Sequence, residues 1–165
     1  MKYIFCYIII SLLSSISFAQ SFALNTINKI FSSPVNYKYQ QFIMLNCDSS
    51  TFEKEVIFFG IRSKSKAIFS NTIFTSISSF KKCTFTKGAN FDSAKFLKKI
   101  DMGNLTVEKK MSFYETHFYQ KFILWMGSFK EGVDFIINKF DDDAIFINSK
   151  FQDLTFIDCR FLGEF

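Results

Sequence analysis

Ala89-Asn90-Phe91-Asp92-Ser93-Ala94-Lys95-Phe96 contains the unit from which most of the chain can be read: a small residue, a polar one, a phenylalanine, two polar residues, and the same order begun again. Outward from Phe91 and Phe96, central residues fall at 52, 58, 63, 69, 74, 80, 85, 91, 96, 102, 107, 113, 118, 124, 129, 135, 140, 146 and 151, in steps alternating between six and five. The period is eleven. After Phe151 the steps are five and five, through Phe156 and Phe161. Of these 21 positions 17 are Phe, and the others are Ser63, Met102, Val107 and Leu124. With 25 Phe but only six Gly and one Pro in 165 residues, the chain is a single compact unit and not a loop-dominated one.

The residue two places before each central position is usually small, as at Ala67, Thr72, Ser78, Cys83, Ala89, Ala94, Thr116, Gly127, Ala144, Ser149 and Cys159. The two sets together make 42 positions without one Asp, Glu, Lys or Arg, although 21% of the chain is charged. Random placement would put about nine charges there, so both sets face a buried interior. The small side chain lets the backbone bend, and the ring fills the space that the bend encloses.

Units of this form resemble the Phe-rich branch of the pentapeptide-repeat proteins, here with alternating five- and six-residue steps, over about residues 50 to 163. The resemblance implies an all-β fold, a right-handed, four-sided parallel β-helix in which each unit is one side and four units are one coil. Four alternating steps make 22 residues, so residues 22 apart are expected to stack in columns. One is Phe69, Phe91, Phe113 and Phe135; a second is Phe74, Phe96, Phe118 and Phe140. The third holds Phe58, Phe80, Met102, Leu124 and Phe146, and the fourth Ser63, Phe85, Val107, Phe129 and Phe151. The inserted residue of alternate steps predicts bulged corners. Ile100, Leu105, Met111, Phe122 and Leu154 exceed the usual small position, so the coil over 100–127 is expected to be the least regular.

Both ends lie outside this pattern. Lys2, the apolar run Ile4 to Leu13 and Ser17-Phe18-Ala19 read as a signal peptide over residues 1–19, cleaved before Gln20, so that the protein is exported to a periplasmic, secreted or cell-surface location. Residues 20–51 read as an N-terminal cap preceding the β-helix of 52–165. Within it, Ala23, Leu24, Ile27, Ile30 and Phe31 recur at helical spacing after Ser21, predicting a short helix that Pro34 ends, followed by a lead-in strand with Tyr37, Tyr39, Phe42 and Met44 alternating. Phe156 and Phe161 are the expected association end of the repeat, through which two copies would pair as a homodimer.

Candidate chemistry is sparse. His117, with Glu115 two residues away, reads as a solvated surface histidine, and the run Asp141, Asp142, Asp143 as a charged corner lacking the glycine-spaced alternation of calcium loops. Cys47, Cys83 and Cys159 fall on inward positions and read as core residues. No catalytic, cofactor or metal residues are assigned. Tyr114, Tyr119 and Trp125, each just after a central residue, form an expected outward arc for a protein or glycan partner. The formal charge of +5 becomes +4 once Lys2 is removed. Lys98 and Lys99 are followed one coil on by Gln120 and Lys121 and then by Asp142 and Asp143, so no basic column forms, which argues against a nucleic-acid groove. The function these features favour is a non-catalytic exported solenoid acting as an interaction or structural module. A DNA-mimicking topoisomerase binder would need an acidic surface, and a β-helix enzyme acting on polysaccharide would need a carboxylate cluster in a groove.

Overall fold

The computed structural model describes residues 21–165, which form a parallel β-solenoid of about six turns. The predicted signal segment, 1–19, lies outside the described residues. Four faces follow one another around each coil. Face I carries Arg62–Ser63, Thr84–Phe85, Thr106–Val107, Ser128–Phe129 and Lys150–Phe151, and face II Ala67–Ile68, Ala89–Asn90, Met111–Tyr114, Val133–Ile136 and Leu154–Ile157. Gln41–Asn46 is long enough to turn the corner between them and joins both into one sheet. Face III is the seven-stranded sheet from Ile30–Phe31 to Arg160–Phe161, and face IV the six-stranded sheet from Val35–Lys38 to Ala144–Ile147.

Strand partners in the middle coils are 22 residues apart, as in Ser78 with Val56 and Ile100. The offset shrinks to 21 where two five-residue steps are consecutive, as in Val133 with Leu154. Register thus follows directly from step lengths. The predicted columns stack as rings: Phe69 on Phe91 at 5.0 Å, Phe91 on Phe113 at 5.2 Å and Phe113 on Phe135 at 4.7 Å. Phe74, Phe96, Phe118 and Phe140 stack in the same way, 4.6 to 5.3 Å apart. These separations match the strand spacing of a sheet, so the hydrogen-bond ladder and the ring stack satisfy each other.

The corners explain the alternation of steps. A left-handed residue stands two places after the central residue of faces II and IV, in every five-residue step from Ser49 and Gly60 through Asn71, Lys82, Ser93, Asn104, Glu115, Met126, Ile137 and Asn148, with φ between 50° and 63°. From Ser49 through Ile137 its N–H donates to the next coil, as from Ser93 to Tyr114 O at 2.6 Å or from Asn104 to Trp125 O at 2.8 Å. Two diagonal corners are tight left-handed turns, and the six-residue steps make the other two wider.

Three expectations need correction. The helix over 21–31 is absent, and no described residue is helical: Ser21–Asn25 is a strand paired with Gln41–Asn46, and Ile30–Phe31 pairs with Thr51–Phe52. An eleven-residue helix is marginal by itself, whereas the strand gains a ladder, and Phe31 stacks on Phe52 at 4.5 Å. The solenoid therefore begins within the segment read as a cap. In the lead-in strand, Tyr37 and Phe42 point inward while Tyr39 and Met44 are exposed, because Tyr39 is itself a left-handed corner (φ 54°) that breaks the alternation. Lastly, the coil over 100–127 is regular, its strands holding the 22-residue register on both sides. Ile100, Leu105, Met111 and Phe122 are buried there, and only Leu154 is exposed. Ser63, Met102, Val107 and Leu124, the four units without a central Phe, carry Ile61, Ile100, Leu105 and Phe122 two places earlier. In each of these units a large buried side chain at the earlier position helps fill the interior that the central ring fills elsewhere.

Candidate functional site

Each chemistry-bearing side chain is placed by the coil register. His117 lies on face III, where its Nε2 is 2.7 Å from Oδ2 of Asp141, and its ring stacks on Tyr119 at 3.6 Å. Lys139 Nζ holds the other oxygen, Asp141 Oδ1, at 2.7 Å. Asp141, one coil beyond Tyr119, is the acidic partner of His117, and Glu115 interacts with Tyr114 instead. The Lys139 ammonium, with His117 second, keeps the Asp141 carboxyl below its usual 3.8. The 22-residue step that carries Tyr119 onto Asp141 is the signal in the sequence for this pairing.

The acidic run is consumed by similar contacts. Asp143 accepts from Lys121 Nζ at 2.7 Å and from the backbone N–H of Glu164 at 3.1 Å, and the lysine holds its carboxyl low. Asp142 accepts from the Asp143 N–H. Lys81 with Asp101, Lys110 with Asp134 and Lys109 with Glu131 tie further coils together. Among the described residues, no three His, Cys, Asp or Glu side chains gather to hold a metal ion. Cys47 and Cys83 are buried thiols pushed up to about 12 by desolvation, and Cys159 is half-buried. At that pKa the nucleophilic thiolate is scarce near neutral pH.

Tyr114, Tyr119 and Trp125 are on one coil but on three successive faces, II, III and IV, so they do not share a flat surface. Tyr114 and Tyr119 are exposed; Trp125 is half-buried and lies down over Gly103, where an added Cβ would stand 2.3 Å from the indole. Its Nε1–H donates to Asp101 at 2.9 Å, and Lys81 reaches the same carboxylate at 2.8 Å. Basic residues do align in one column that the lysine pattern had not disclosed: Lys95, His117, Lys139 and Arg160 follow in register on face III, with Asp141 partly neutralising the middle two.

Two further surfaces stand out. On the last described coil, Phe146, Phe151, Phe156 and Phe161 are only half-buried, and the Phe165 ring lies against Phe146, Phe156 and Phe161 at 5.6, 5.4 and 4.6 Å. Near the other end, a shallow groove of about 470 Å³ on face IV is lined by Lys38, Tyr39, Ile57, Phe59 and Lys81. Ile57 and Phe59 flank the central Phe58, an alternation that marks them as outward from sequence alone. Among the described residues, no helix is long and apolar enough to cross a membrane. Comparisons of the chain with protein-family models, curated proteins and solved structures give no match.

Proposed function

We propose that the chain is an exported, non-catalytic solenoid of the pentapeptide-repeat kind that works as a protein-interaction or structural module. The observation that carries this reading is how the side chains are used. The interior is filled by stacked rings from Phe31 to Phe161, while His117, Asp141, Asp143 and several of the outward lysines are engaged in bonds between coils. What remains is a rigid surface of parallel outward ladders, the arrangement by which solenoids present extended contact area. The half-buried rings of Phe156 and Phe161 support a second contact, pairing of two copies through the last coil.

Photo-crosslinking from outward positions tests the module. A photoreactive residue in place of Tyr114 or Tyr119, in cells that express the chain, is expected to trap a discrete protein or glycan. Absence of adducts from every outward position, together with turnover of a polysaccharide by the purified chain, would overturn the reading.

A further inference from the structure

We propose that the face IV groove is a docking site for an acidic, proline-rich segment of a partner protein in the polyproline II conformation. The proposal rests on the interaction-module reading and deepens it by giving the site and the chemistry of its occupant.

The groove runs along a corner made by two rings in edge-to-face contact. Tyr39 and Phe59 have centroids 5.3 Å apart with planes at 88°. Tyr39 is the most exposed aromatic among the described residues, at 73%. It lies flat on Gly60, where a Cβ would come within 2.7 Å of the ring, and that glycine is a left-handed corner with φ +63°. Ile57 completes the apolar part of the lining. The exposed ring surfaces of such an aromatic corner suit the rigid, low-entropy polyproline helix, whose prolines pack flat against aromatic rings.

Charge selects the kind of polyproline segment. Lys38, Phe59 and Lys81 are consecutive members of one column, so the two lysines flank the ring from one coil on either side. Lys82 Nζ lies 5.3 Å from the Phe59 centroid. Among the described residues Lys38 and Lys82 form no ion pair, and only Lys81 is partly offset, by Asp101. The groove is thus rimmed by positive charge and calls for carboxylates. Two coils separate the Lys38 and Lys81 backbones by roughly 9.6 Å. A polyproline II helix brings residues i and i+3 to the same side about 9.3 Å apart. Glutamates at i and i+3 would therefore meet Lys38 and Lys81, and one of the two prolines between them, a third of a turn around the helix, would pack on the Tyr39 ring beside that column.

The test uses the purified full chain and a fluorescein-labelled Glu-Pro-Pro-Glu-Pro-Pro-Glu peptide, followed by anisotropy. The expected result is saturable binding at least tenfold tighter than that of Lys-Pro-Pro-Lys-Pro-Pro-Lys or Glu-Gly-Gly-Glu-Gly-Gly-Glu. Tyr39→Ala, and separately Lys38→Glu, should each weaken it at least tenfold with an unchanged thermal melt. Binding equal to that of the glycine peptide would reduce the site to general charge attraction and overturn the proposal, as would no saturation at millimolar peptide. A trapped partner in the crosslinking experiment with no peptide binding here would remove this occupant and leave the module reading standing.

Discussion

Phe122 stands where the units before and after it in the chain place Thr116 and Gly127, and Leu124 stands where they place Phe118 and Phe129. The Phe122 ring meets Phe113, Phe118, Phe135 and Phe140 at 4.8 to 6.0 Å, so it fills the interior from the other side of its own unit. Phe122→Ala should cost ~3–5 kcal/mol through the cavity it leaves. Adding Leu124→Phe restores the ordinary unit and should recover more than half of that loss in a denaturant-melt cycle; losses that simply add would contradict the exchange. Ile137 shows a different tension, a β-branched residue held at φ 56° with its side chain exposed. Since that region costs an L-residue roughly 1–2 kcal/mol and Asn visits it more readily, Ile137→Asn should raise stability by about 1 kcal/mol. An unchanged or lower melting temperature would show that the corner is not strained. At this scale the inward positions were plain in the sequence, because charge avoids them without exception. The left-handed corners were not, because Lys82, Glu115, Met126 and Ile137 occupy them as well as Gly and Asn. The stack imposes the conformation there by hydrogen bonding each corner N–H to the next coil.

Between elements, the bonds join one coil to the next. Asp48 accepts from Ser70 Oγ at 2.7 Å and from Asn71 Nδ2 at 3.1 Å, Asp141 reaches back one coil to His117 while also holding Lys139 on its own coil, and Asp143 holds Lys121. All three carboxyls lie below their usual 3.8, Asp48 chiefly through the Ser70 hydroxyl, Asp141 through Lys139 and Asp143 through Lys121. A carboxylate with a lowered folded pKa contributes stability that is fully present above the unfolded value and lost as pH falls through the folded one. The melting temperature should therefore stay level down to about pH 4 with respect to these groups and drop below it. Asp48→Asn should flatten that acid limb, and an identical limb in the variant would assign the loss elsewhere. The elements themselves were legible from Phe52 onward and misread before it. Ala23, Leu24, Ile27, Ile30 and Phe31 satisfy a helical spacing, but Phe22, Leu24 and Phe31 also satisfy the inward register of the first coil. Local periodicity cannot separate the two readings over so short a stretch, and pairing with Gln41–Asn46 decides between them. The partner of His117 was obscured for a related reason: two residues in sequence seemed nearer than 24, although one coil of stacking makes Asp141 the neighbour.

As a whole, the molecule is a column in which each coil touches only the coils before and after it, so damage at the centre breaks two interfaces and damage at an end one. Phe91→Asp, which buries an unpaired charge between Phe69 and Phe113, should prevent cooperative folding, whereas Phe161→Asp, half-exposed and stacked only on Phe140 among its axial neighbours, should leave a folded chain. Comparable loss of structure in both variants would refute this picture. The central claim is that residues 22 apart are axial neighbours. It is tested most directly by a distance between spin labels on Arg62→Cys and Lys150→Cys, with the native cysteines replaced by alanine. These two positions belong to one face I column through Thr84, Thr106 and Ser128, four coil spacings apart. The stacked solenoid predicts a single narrow distribution consistent with a backbone separation of roughly 19 Å. A broad distribution, or one centred beyond about 35 Å, would contradict it.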